Sequence, residues 1–202
     1  MTQSIAITKT KVPDPHQDTF SRTVQGFWIY LMTDSLIFAS LFVTYGILHY
    51  NTFGGPSTHD IFSLPLVIAE TSVLLVSSFA SGLGLLAAAR SKKNALLGWF
   101  ILAFLMGFSF VVMELMEFTD LVHEGHNWEK SAFLSSFFTL VGTHGTHVSF
   151  GLIWLIVLMG QVLYKGVTVT TFRRLVCFNM FWHFLDLVWI FIFTFVYLMG
   201  VV

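Results

Sequence analysis

Residues 95–118 read ALLGWFILAFLMGFSFVVMELMEF, and no lysine or arginine interrupts them. As an α-helix this stretch is about 36 Å long, more than the ~30 Å hydrocarbon core of a bilayer. Working outward, the same pattern recurs at residues 26–48, 64–89, 132–163 and 175–200, again without Lys or Arg. Each run exceeds the ~20 residues that a helix needs to cross. In lipid an open chain leaves its backbone N–H and C=O groups unpaired, so these runs must be helices. The predicted fold is therefore all-α: a polytopic membrane bundle of five transmembrane helices. The fourth run would measure about 48 Å, so it must tilt or protrude.

Composition agrees. Of 202 residues, 55% are apolar and 10% are charged, with 23 Phe and 6 Trp. A soluble domain carries about 25% charged residues and cannot bury this much apolar surface. The net charge of −1 points to no nucleic acid and no strongly charged partner. The single cysteine, Cys177, excludes an internal disulfide, a cysteine-ligated iron–sulfur cluster, a two-cysteine copper centre and C-x-x-C-H haem attachment.

Residues 1–25 are polar and lack the apolar core of a signal peptide, so they read as an unprocessed, flexible tail ahead of a five-helix domain over 26–202. Lys9, Lys11, Arg22, Arg90, Lys92, Lys93, Lys165, Arg173 and Arg174 fall on one side of the predicted topology, and only Lys130 on the other. By the positive-inside rule the N-terminus is cytoplasmic and the C-terminus periplasmic. Trp28 and Trp99 at inner ends, with Tyr45, Tyr50 and Tyr197 at outer ends, suit an aromatic belt. Gly54-Gly55-Pro56 marks a turn in an outer loop too short to fold by itself.

Five carboxylates lie inside the apolar runs: Asp34, Glu70, Glu114, Glu117 and Asp186. Three histidines join them: His144, His147 and His183. A charge at mid-membrane costs about 2.5–3.5 kcal/mol even on insertion scales, so such groups usually face the protein interior. With no cation in the runs, each carboxyl must be protonated, hydrogen-bonded, or paired with another chain. At 1.5 Å per residue from the outer ends, Asp34 and Asp186 lie about 21 Å deep, His144 about 18 Å, and His147 and His183 about 23–26 Å. This predicts a buried polar layer joining the first, fourth and fifth helices. The same count puts Glu70, Glu114 and Glu117 nearer the outside, where Glu114 and Glu117 reach headgroup water. Ser78/Gly82, Gly142/Thr146 and Gly145/Ser149 have the small-xxx-small spacing that lets helices approach closely.

The residues alone leave several readings open. In one, His144 or His147 faces His183 across a haem, as in a stand-alone b-type cytochrome that oxidises quinol. The full Glu-x-x-His pattern of a di-iron bundle is absent. In another, Asp34 or Asp186 handles protons; the alternative is that His183 and Asp186 form a structural pair. His123, Glu124 and His126 make an H-E-x-H run in a loop, which does not match a zinc motif.

Two segments resemble a known family. Gly142-Thr-His-Gly-Thr-His147, followed by Gly151, and Phe181-Trp-His-Phe-Leu-Asp-Leu-Val-Trp189 are similar to hallmark segments of haem–copper oxidase subunit III. Residues 26–45 resemble its first core helix, where the family carries a buried acid at the place of Asp34, one methylene longer in many members. Leu64-Pro65, then Glu70-Thr71-Ser72-Val-Leu-Leu, resemble its next helix. Five spans, with Gly54-Gly55-Pro56 ahead of Asp60-Ile-Phe-Ser-Leu-Pro65, resemble the cytochrome o, ubiquinol-oxidising branch.

The resemblance implies an accessory, non-redox subunit of a proton-pumping ubiquinol:oxygen terminal oxidase in a bacterial inner membrane. It implies haem and copper in subunit I, no cofactor, metal or catalytic residue here, and bound phospholipid. The implied partners are subunits I, II and IV. The implied role is assembly, lipid retention and integrity of proton uptake.

Overall fold

A computed structural model describes residues 15–49, 64–123 and 131–198. They form five long helices: α1 Pro15–Leu48, α2 Leu64–Ala89, α3 Lys93–His123, α4 Ala132–Lys165 and α5 Val169–Ile192. A π-helical turn, Phe193–Leu198, continues α5. All five are long and apolar enough to cross a membrane, and no strand occurs among the described residues.

The helices run past the apolar stretches because amphipathic ends extend them. α1 starts at Pro15, where a proline suits the first helical turn. Residues 15–25, read from sequence as flexible tail, are thus helical, and Phe20 stacks on Phe172 of α5 at 6.4 Å. Residues 1–14 lie outside the described part. α3 continues to His123 rather than stopping at 118, and α5 begins at Val169 rather than 175.

Local chemistry sets the ends. The Ser131 hydroxyl accepts from the Leu134 N–H, and the Thr168 hydroxyl from the Thr171 N–H. Gly166, at φ +70°, closes α4 and donates to the Val162 carbonyl. Ser91, at φ +53°, reverses the chain between α2 and α3. That tight turn makes α2 and α3 a helical hairpin, and an added Cβ on Gly84 would come within 2.7 Å of Phe100.

α5 is the centre. It packs on α1, α2 and α4, and its Trp182 reaches α3. α1 is peripheral and leans on α4 and α5. The Trp182 indole sits between Gly107 of α3 and Gly151 of α4, where either glycine's Cβ would stand 2.8 Å from the ring. Its N–H donates to the Ser77 hydroxyl, which donates to the Ala103 carbonyl, so three helices share one polar junction. Trp189 meets Phe110 edge-on at 4.7 Å.

All described lysines and arginines (Arg22, Arg90, Lys92, Lys93, Lys165, Arg173 and Arg174) gather at one end of the bundle. There Lys93 donates to the Leu163 carbonyl and Arg174 to Gln161. Trp28 and Trp99 are exposed near this end. Tyr45 and Tyr197 are not belt residues, because both are buried. Tyr50, Lys130 and the Gly54-Gly55-Pro56 turn lie outside the described residues.

Candidate functional site

The intramembrane polar groups form three separate assemblies. The first joins α1 to α4. Asp34 is buried, and its Oδ1 lies 3.3 Å from His147 Nε2. His147 Nδ1 contacts the Thr143 carbonyl at 2.8 Å, so it is the donor and the ring is oriented from both sides. The Phe38 ring lies 5.2 Å from His147 and 6.4 Å from His144.

An interhelical hydrogen bond in a bundle contributes about 0.6 kcal/mol on average and about 1.7 at most. A double cycle of Asp34→Leu and His147→Leu should therefore give a coupling of about 1 kcal/mol in thermal unfolding. Simple additivity would show that the pair does not hold α1.

The second assembly joins α5 to α2. His183 Nδ1 lies 2.5 Å from Ser78 Oγ, and Asp186 is within hydrogen-bonding reach of the same hydroxyl. His183 and Asp186 therefore meet through Ser78 rather than as a direct pair, one of the readings the sequence left open. One turn away, Ser81 donates to Asn179. The expected layer omitted α2, and its serines looked only like small packing residues.

His144 stands between these assemblies and joins neither. It is completely buried, its ring stacks on Trp189 at 5.2 Å, and Phe110 meets its edge. Neither of its nitrogens has a hydrogen-bond partner among the described residues. Two imidazoles across a haem would have to face one space. Here His147 is turned to Asp34 and His183 to Ser78.

The third assembly corrects an expectation. Glu114 and Glu117 do not reach headgroup water; they are 3% and 8% exposed. The extension of α3 to His123 puts Glu114 nine residues from the helix end instead of four, about 13 Å deep rather than 6 Å. Its carboxyl packs against α4 beside Gly145, where an added Cβ would come within 2.7 Å. Glu70 of α2 completes the trio, fully buried and close enough for the three carboxyls to influence one another. The Tyr197 hydroxyl donates to Glu117 at 3.2 Å from the π-helical turn. Trp189 likewise ties α5 to Thr71 of α2. Tyr197 was missed because its position near a helix end looked interfacial.

Among the described residues no group of three His, Cys, Asp or Glu side chains is placed to hold a metal ion. His123 ends α3, while Glu124 and His126 lie outside the described residues. Two apolar grooves flank α1. One, of about 430 Å³, is lined by Phe27, Tyr30, Trp154 and Phe181. The other, of about 340 Å³, is lined by Phe38, Phe42, Phe184 and Phe191.

Comparison with known proteins decides what kind of bundle this is. The family model described as cytochrome c oxidase subunit III matches residues 7–201. This chain belongs to that family. Within the subunit III family, it is 52% identical to cytochrome bo(3) ubiquinol oxidase subunit 3 of Pseudomonas aeruginosa, over 93% of this chain and 90% of that one. It is 51% identical to the protein of the same name from Pseudomonas putida, over 91% and 89%. Cytochrome c oxidase subunit 3 of Bacillus sp. strain PS3 is 43% identical, over 88% and 86%. The two segments that carried the resemblance coincide with the contacts between the helices: 142–147 carries His144, Gly145 and His147, and 181–189 carries Trp182, His183, Asp186 and Trp189.

Proposed function

We propose that this chain is the third subunit of a proton-pumping ubiquinol:oxygen terminal oxidase in a bacterial inner membrane, and that it carries no redox centre. The observation that carries the reading is its near full-length match to the Pseudomonas ubiquinol oxidase subunits. On this reading haem and copper reside in subunit I, electrons enter from ubiquinol elsewhere in the complex, and subunits I, II and IV are the partners. The hydrogen bonding supports a non-redox role, because both nitrogens of His147 are engaged, by Asp34 and by the Thr143 carbonyl.

The clustering of basic residues at one end supports a cytoplasmic N-terminus. The two aromatic-lined grooves beside α1 have the apolar lining that acyl chains require, which supports phospholipid retention. The contribution to turnover is then mechanical and dielectric: the bundle holds lipid, buttresses its partners and keeps the proton-uptake side intact.

Removing this chain from the purified oxidase tests the proposal. Haem content of the remaining complex should be unchanged, while oxygen reduction decays faster during turnover. Full activity and lifetime without the chain would overturn the role. A haemochrome spectrum of the isolated chain should show no haem, whereas stoichiometric haem lost on His183→Ala would favour the b-type cytochrome.

A further inference from the structure

His183 is the exception among the intramembrane polar groups. Asp34, His144 and Asp186 are buried, but His183 is exposed on the outer surface of α5, midway along the span Val169–Leu198. Its Nδ1 is engaged by Ser78. Its Nε2 has no hydrogen-bond partner among the described residues and points past Gly82, where an added Cβ would stand 3.9 Å away.

The surroundings form a face. On α2, Leu75, Phe79, Gly82 and Leu86 follow one another at helical spacing, with Phe79 67% exposed. On α5, Leu187 and Ile190 continue the strip, and Leu187 is 55% exposed. The result is an apolar surface with one free imidazole nitrogen at mid-span and a glycine beside it.

Lipid cannot complete this surface. At mid-span the bilayer offers only acyl chains, and headgroup phosphates lie about 15 Å away. An unpaired polar group in hydrocarbon is costly, and intramembrane histidines almost always face protein or a cavity. Gly82 lets a second backbone come close, as small residues do where membrane helices pack. The hydrogen-bond chain sets the partner's chemistry. When the Ser78 hydroxyl donates to Asp186, it accepts from the His183 Nδ1–H, which leaves Nε2 as a bare acceptor.

We propose that the α2–α5 face around His183 and Gly82 docks a membrane-spanning helix of another oxidase chain, which donates a hydrogen bond to His183 from a hydroxyl, amide or carboxyl at mid-span. The proposal rests on the oxidase-subunit reading and names one surface through which the chain joins the complex.

The test uses the intact, detergent-solubilised oxidase with a photoreactive benzophenone side chain in place of Phe79 or Leu187. Irradiation should join both variants to another oxidase chain, within one of its membrane-spanning segments. Adducts with lipid alone, or with a second copy of this chain, would overturn the proposal.

Gly82→Leu supplies a second measure. In this chain an added Cβ meets only the His183 ring edge, in ordinary contact, so insertion and helical content should not change. Co-purification with the oxidase should fall about three- to fifteen-fold, as expected for one lost interhelical hydrogen bond with its packing. His183→Leu should match that loss and His183→Gln should largely restore it. Wild-type recovery of Gly82→Leu in the complex would place the docking elsewhere. If the unaltered chain co-purifies with no oxidase chain, the functional reading itself falls. If it co-purifies while the Gly82 and His183 variants are inert, only the docking face falls.

Discussion

Gly151→Val is expected to destabilise this chain strongly and to lower its folded yield. A Cβ at residue 151 would stand 2.8 Å from the Trp182 ring and 3.2 Å from Phe181. The indole has nowhere to go, because its far side already meets Gly107 of α3 at the same spacing. Retreat would also break the N–H bond to Ser77, which links α5 to α2 and α3. Overpacking a core costs about 1–3 kcal/mol, occasionally more, and a β-branched residue here belongs at the upper end.

The measurement is the yield of monodisperse, detergent-extracted chain and its unfolding midpoint. Pairing Gly151→Ala with Trp182→Leu should cost less stability than the two single losses sum to, because they share one contact. Normal yield from Gly151→Val would mean that the α4–α5 seam opens freely and that the clamp is not tight.

Glu70→Leu is expected to act in the opposite direction and to stabilise the chain. Glu70 is fully buried, neither of its carboxyl oxygens has a hydrogen-bond partner among the described residues, and it faces Glu114 and Glu117. Leaving one buried polar group unpaired costs about 1–3 kcal/mol, and an apolar residue of similar size removes that cost. A gain of about 2 kcal/mol should appear as a higher unfolding temperature of the purified chain. Glu117→Leu should gain less, since it also discards the bond from Tyr197. A fall in stability of the purified chain on Glu70→Leu would show that the carboxyl has a partner within this chain and would overturn the prediction.

Spans, their number and the basic end of the bundle were legible because each depends on sums over long windows. Apolar length sets the crossings, and charge placement between them sets which ends gather. What escaped depended on a few residues at helix ends. The polar extension of α3 past 118 moved Glu114 and Glu117 from an apparent interface into the core. Tyr197 looked interfacial by position, yet it is held inside by the π-helical turn and Glu117.

Within the spans, residue type identified the polar groups but not their partners. Asp34 was found, and His147 beside it was one of three candidates. Ser78 was read as a packing residue, although its hydroxyl is the meeting point of His183 and Asp186. Depth counting carries no rotation about the helix axis. It therefore could not tell that His144 faces Trp189 while His183 faces outward.

The central position of α5 has a consequence for biogenesis. The helix that supplies Trp182, Trp189 and, in its π-helical turn, Tyr197 follows the other four spans in the chain, so it is synthesised after them. Until it arrives, Gly107, Gly151, Ser77 and Thr71 line a slot with nothing in it, and Glu117 lacks its phenol. The α2–α3 hairpin can form early from its own turn, and α4 can join α3 and α1 through the Glu114–Gly145 and Asp34–His147 contacts, but none of these fills the slot. Quality control at the translocon thus meets an open four-helix intermediate, and a stop codon ahead of residue 169 would leave it open.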